Sequence, residues 1–131
     1  MHDIIYVGED ITCVGWGAQI KALMEASKMA KELNNVSCEI IDLQSILPWD
    51  KHTVVESVKK TGRLLIAHEA PKTGGFAAEI AAEIQEECIY ELKSPIIRVS
   101  GWDTPFPLVF ERIYLPDKLR CYEAILKSIK G

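Results

Sequence analysis

The chain has little of what would announce a self-sufficient chemical site. Its four cysteines, Cys13, Cys38, Cys88 and Cys121, form no C-x-x-C pair, and its three histidines, His2, His52 and His68, stand in unrelated segments. That spacing argues against a zinc site and for reduced, core-type cysteines in a reducing compartment. Aromatic residues are only 8% of the chain and are not interleaved with basic ones, and 15 basic residues face 19 acidic ones for a formal charge of −4. Nucleic acid is therefore not an expected partner. No apolar run approaches the roughly 20 residues of a bilayer-spanning helix, and no charged-then-apolar leader precedes the first strand, so no membrane is expected either. Internal repeats and low-complexity tracts are also missing.

What is present is strand and helix in alternation within one domain, residues 1–131, of a length that buries a core without staples. Residues 1–10 read as an edge segment, Ile4-Ile5-Tyr6-Val7, or in part as a tag remnant. Ile11–Gly15 is the first firm strand, and Ala18–Leu33 has the apolar rows and polar stripe of a helix lying on a sheet. Asn34-Asn35 closes that helix, since Asn tolerates the left-handed conformation. Val36–Leu43 is the next strand, which makes a β-α-β unit with parallel strands.

Asp50 is placed to cap a short helix built on Val54, Val55 and Val58, with Gly62 beyond its end. Leu64–Ala67 is a strand buried on both faces. A helix follows through about Tyr90, with Phe76, Ile80, Ala81, Ile84 and Cys88 inward and Glu79, Glu83, Glu86 and Glu87 outward. Pro95–Val99 is the last strand. A final helix after Asp117 puts Leu119, Tyr122, Leu126 and Ile129 on one face. The sum is an α/β domain with three layers, α/β/α, around a mostly parallel sheet.

Three stretches are candidate sites. His68-Glu69 ends a strand, Pro71 stops it, and Thr73-Gly74-Gly75 leads into a helix at Phe76. A titratable pair at a strand's carboxyl end beside a glycine-opened helix is where open α/β sheets place ligands. Yet no Ser, Cys or Asp at motif spacing completes a nucleophile, base and orienter with His68. Gly15-Trp16-Gly17 resembles the start of a dinucleotide fingerprint, but Ile20 occupies its third position and Trp16 would crowd a pyrophosphate. Trp102-Asp103-Thr104-Pro105-Phe106-Pro107 sets aromatics on a proline-stiffened loop, either a docking surface or a loop folded back on the core.

The residues His68-Glu69-Ala70-Pro71-x-Thr73-Gly74-Gly75-Phe76-Ala77, Ile41-Asp42-Leu43-x-x-Ile46-x-Pro48-Trp49-Asp50 and Asp103-Thr104-Pro105-Phe106-Pro107 carry a further signal. With Thr61–Ile66 and Gln85–Cys88 they closely resemble the carboxyl-terminal domain of branched-chain 2-oxo acid dehydrogenase beta subunits. Pyruvate dehydrogenase beta subunits look like more distant relatives. The resemblance implies a transketolase carboxyl-terminal domain-like fold, in an enzyme that uses thiamine diphosphate and Mg to decarboxylate branched 2-oxo acids oxidatively and acylate lipoyl groups. It implies an α2β2 heterotetramer with an alpha subunit and a second beta subunit, and docking to a dihydrolipoyl acyltransferase core. The location implied is the mitochondrial matrix in a eukaryote and the cytoplasm in a bacterium.

The resemblance also implies that the amino-terminal, cofactor-binding half of the subunit is not in this chain. The Gly-Asp-Gly signature of the metal-diphosphate site is absent from the sequence. No catalytic, cofactor or metal residue is therefore expected here. His68, Glu69, Pro71, Thr73, Gly74, Gly75, Phe76, Trp102, Asp103, Pro105 and Phe106 are expected as subunit or partner contacts. The alternative is a free-standing α/β domain that binds a small anion or nucleotide at the Gly15/Gly17 and Gly74/Gly75 turns.

Overall fold

A computed structural model describes residues 4–43, 49–68, 74–100 and 117–130. The elements in chain order are β1 (Ile4–Tyr6), β2 (Ile11–Gly15), α1 (Gln19–Asn34), β3 (Cys38–Asp42), α2 (Lys51–Thr61), β4 (Leu64–His68), α3 (Gly74–Glu87), β5 (Ile97–Ser100) and α4 (Asp117–Lys130). One five-stranded sheet has the order β1-β3-β2-β4-β5, parallel except for the antiparallel edge strand β1.

The period of two along each strand divides the core into two layers. Ile11 and Cys13 of β2, Cys38 and Ile40 of β3, and Leu65 and Ala67 of β4 pack with residues of α1 and α4. Val14, Ile41, Leu64 and Ile66 pack on the other face with α2 and α3. Thr12 shares that second face, and its hydroxyl is satisfied by Ser57 Oγ at 2.6 Å and Thr61 Oγ1 at 2.8 Å, both on α2. This small polar knot lets a β-branched strand residue lie fully buried without an orphaned hydroxyl.

Helix ends follow their local chemistry. Asp50 caps α2 by accepting from the Thr53 N–H at 3.2 Å and the Thr53 hydroxyl at 2.7 Å. The Thr53 hydroxyl bond is the largest influence holding the Asp50 carboxyl below its ordinary range. Gly62, at φ 79, ends α2 with its N–H on Val58 O at 2.7 Å. Asn35 does the same for α1 at φ 56, the only described non-glycine residue with positive φ.

Four expectations shift. Strand β3 begins at Cys38 rather than Val36, because the Val36 N–H is spent on Ala30 O in closing α1. Helix α3 stops at Glu87 instead of continuing to Tyr90; Glu91 N and Leu92 N both turn back onto Cys88 O. In α4 the inward row is Cys121, Ala124, Ile125 and Ser128, with Leu119, Tyr122, Leu126 and Ile129 on its flanks. Close approach to α1 favours small residues in the centre of that face, which a count of large apolar side chains overlooks. Leu33 of the expected α1 row is 66% exposed.

Candidate functional site at the carboxyl ends of the strands

After the edge strand β1 the chain forms β2, steps to β3 on one side through α1, and then crosses to β4 on the other side through α2. Neighbouring strands β2 and β4 therefore send their following helices, α1 and α3, to opposite faces. Such a reversal opens a crevice outside the carboxyl ends of the strands, where open α/β sheets bind ligands. Gly15 and Ala67 are register partners at that point, and His68 is the next residue.

Here the crevice is closed from within. Trp16, only 7% exposed, lies edge-on to Phe76 of α3 with ring centroids 5.6 Å apart and planes at 69°. This is a favourable aromatic geometry, and it joins the turn after β2 to the first turn of α3. Gly17 takes φ 66 to bring the chain into α1. At Gly15 a Cβ would come within 2.9 Å of Leu23 Cδ1, so packing against α1 accounts for that glycine. The dinucleotide-like pattern is thus a tight strand-to-helix turn with an aromatic plug. At Gly75 an added Cβ would meet nothing within 4 Å, so no close neighbour demands glycine there.

His68 ends β4 opposite Ser100 and is 9% exposed. Of the expected contact residues, the structure brings His68, Phe76 and the α3 start at Gly74-Gly75 to the same end of the sheet. Glu69, Pro71, Thr73, Trp102, Asp103, Pro105 and Phe106 lie outside the described residues. Among the described residues no group of three or more His, Cys, Asp and Glu side chains is arranged to hold a metal ion, and no helix is long and apolar enough to cross a membrane.

The four cysteines are buried and none of them is in a disulfide. Cys13 and Cys38 lie on the neighbouring strands β2 and β3, on the α1/α4 face, and their thiols interact. The contact with Cys38, followed by burial, pushes the Cys13 thiol well up, while donation from Cys13 draws Cys38 down.

Two charged features border this end of the domain and its flank. On α3, the acidic stripe is partly neutralised, because Lys51 Nζ lies 3.2 Å from Glu83 and 2.9 Å from Glu87. Glu79 and Glu86 remain exposed. Along β5 runs a cleft of about 940 Å³ whose lining includes His68, Ser94–Arg98, Lys127, Ser128 and Lys130. Lys127 and Lys130, in the last turn of α4, thus line the same cleft as Arg98.

Comparisons with known proteins agree with this architecture. Residues 3–121 match the family model described as transketolase, C-terminal domain. The chain is 60% identical over 126 residues to the mitochondrial 2-oxoisovalerate dehydrogenase subunit beta of Dictyostelium discoideum, covering 96% of this chain and 34% of that protein. It is 54% identical over 127 residues to the mitochondrial 2-oxoisovalerate dehydrogenase subunit beta 2 of Arabidopsis thaliana, covering 97% of this chain and 35% of that one. The chain thus spans about a third of the length of these curated relatives. Among solved structures, a split gene transketolase, described as an inactive beta4 tetramer, superposes with a TM-score of 0.74 at 25% identity, over 99% of this chain and 41% of that one. With its sheet order, its two helical layers and a family match over nearly its whole length, this chain belongs to the transketolase C-terminal domain family.

Proposed function

We propose that this chain is the assembly and docking domain of the beta subunit of a branched-chain 2-oxo acid dehydrogenase. The whole enzyme decarboxylates branched 2-oxo acids oxidatively and passes the acyl group to a lipoyl carrier, using thiamine diphosphate and Mg. The observation that carries this reading is the combination of 60% identity to a 2-oxoisovalerate dehydrogenase beta subunit with a switch-point crevice closed by Trp16 and Phe76. The described residues of this chain do not fit the cofactor: the crevice is filled by its own aromatics, and no described acidic or histidine cluster suits a metal.

The cofactor in this reading is held between the alpha subunit and the amino-terminal half of the beta subunit. This domain contributes the end of the sheet bearing His68 and the α3 start to subunit contact within an α2β2 heterotetramer. Glu69, Pro71, Thr73, Trp102, Asp103, Pro105 and Phe106 belong to the same proposal. The exposed carboxylates of α3 suit a basic subunit-binding domain of the acyltransferase core. Location in the mitochondrial matrix follows the mitochondrial names of the relatives.

The test has two arms. The chain incubated with 2-oxoisovalerate, thiamine diphosphate, Mg²⁺ and an artificial electron acceptor should show no turnover, and turnover without other subunits would overturn the reading. Titration with the acyltransferase subunit-binding domain should give binding that weakens with salt. Absence of binding at low salt would remove the docking role and leave the family assignment standing.

A further inference from the structure

We propose that the outer edge of β5 is a second docking site, which takes an extended, acidic peptide segment of a partner protein as an added strand. It lies apart from the α3 surface and has the opposite charge, so it does not depend on the reading above.

Strand β5 ends the sheet order, and among the described residues β4 is its only strand neighbour. Its other edge therefore carries backbone donors and acceptors of the kind that recruit another strand. The cleft beside it follows that edge and not one face of the sheet. Its lining runs from Ser94–Ile96, which lead into the strand, to Ile97 and Arg98 of β5 itself, and Ile96 packs into the α2/α3 layer while Ile97 packs into the α1/α4 layer. Only a groove that wraps the strand's edge meets side chains from both layers.

The sign of the charge selects the occupant. Arg98 is exposed on the face that alternation assigns to α2 and α3, while exposed Lys127 and Lys130 approach from α4 on the other. Cations thus flank the outer edge of β5 from both sides of the sheet, and no Asp or Glu is among the described lining residues. This is a local reversal in a chain of net charge −4. A strand laid against β5 would project alternate side chains to the two faces, within reach of Arg98 on one and Lys127 and Lys130 on the other. Acidic residues at those positions complement both, and the apolar floor of Pro95, Ile96 and Ile97 receives aliphatic ones. The cleft's neighbour on α4 includes Glu123, which limits the basic strip to the β5 side.

The probe is a fluorescein-labelled ten-residue peptide of repeating Glu-Glu-Val-Val order, which puts Glu and Val on both faces of an extended strand, titrated into the 131-residue chain at low salt and read by anisotropy. Saturable binding is expected, weakened at least about tenfold by Arg98→Glu and by the pair Lys127→Glu/Lys130→Glu, a loss of about 1.4 kcal/mol. All three positions are exposed, and circular dichroism checks that the variants keep the fold. A Lys/Val peptide of equal length should not bind. An N-methylated Glu/Val peptide, lacking the donors for strand pairing, should bind at least about tenfold more weakly. Absent binding, equal binding of the Lys/Val peptide, indifference to the charge reversals or indifference to N-methylation would each overturn the proposal.

Discussion

Replacing Lys60 with Met isolates one buried charge and should give a penalty that depends on pH in a set direction. The Glu39 side chain is 3% exposed, on a strand between β1 and β2, and its Oε1 lies 2.6 Å from Lys60 Nζ. The same oxygen accepts the Gly8 N–H at 3.1 Å, tying the turn after β1 to β3. Burial alone would raise this carboxyl's pKa. Lys60, Gly8 and Ser57 together outweigh it and hold the group below its ordinary value.

Stripping a partner from a fully buried pair costs about 3–5 kcal/mol, whereas an exposed pair is worth about 0–1 kcal/mol. Lys60 is 37% exposed, so water screens part of the interaction. About 2 kcal/mol near neutral pH is the reasonable middle, taken between those limits. For a chain of this size that corresponds to a fall in Tm of about 6–10 °C, interpolated between small and larger domains.

A folded-state pKa held below the unfolded value of about 4.3 stabilises above that value, and this stability is lost as pH falls through the folded pKa. Without Lys60 the depression shrinks, so the variant's native state binds protons more readily. Its deficit is therefore largest at pH 7.5 and shrinks towards pH 4 and below. Urea unfolding of wild type and Lys60→Met at pH 7.5 and pH 4.0, followed by circular dichroism, measures both deficits. Equal deficits at the two pH values, or a deficit under about 0.5 kcal/mol at pH 7.5, would refute the assignment of Glu39 as a buried carboxylate held by Lys60.

Trp16→Ala should cost about 3–5 kcal/mol in urea unfolding, as for a large aromatic removed from a packed site. A double-mutant cycle with Phe76→Leu should show a coupling of about 0.5–1.5 kcal/mol, and additive losses would mean the rings do not support each other. Gly8→Ala should destabilise by about 1–3 kcal/mol or more, because its Cβ would stand 2.3 Å from the Cys38 carbonyl carbon and 2.7 Å from the Glu39 nitrogen, both backbone atoms that cannot swing aside. Hydrogen exchange should then speed up first in β1; unchanged protection there would show that the turn yields without cost.

Much of this domain was legible from residue type and spacing because the signals are local. The capping Asp50, the closing Gly62 and Asn35, and the doubly buried run Leu64–Ala67 act within a few residues of themselves, so each states its conformation directly. Motif likeness around His68–Ala77 and Asp103–Pro107 pointed to the family, and the match over residues 3–121 agrees. The phase of α4 was harder, since small Cys121 and Ala124 sit inward where the helix meets α1, and size-based patterning favours the larger flanking residues.

The sequence by itself thus determined the alternation of elements, the parallel sheet and the ancestry, all of which follow from periodicity, turn chemistry and motif. Only the tertiary structure decided what the strand ends do. Trp16 and Phe76 are sixty residues apart, and the reversal of strand order between β2 and β4 is what makes them meet and close the crevice. Arg98 and the lysines of α4 are likewise ordinary surface charges in sequence. They line one cleft because α4 folds back over β5, and long-range placement of that kind leaves no local trace.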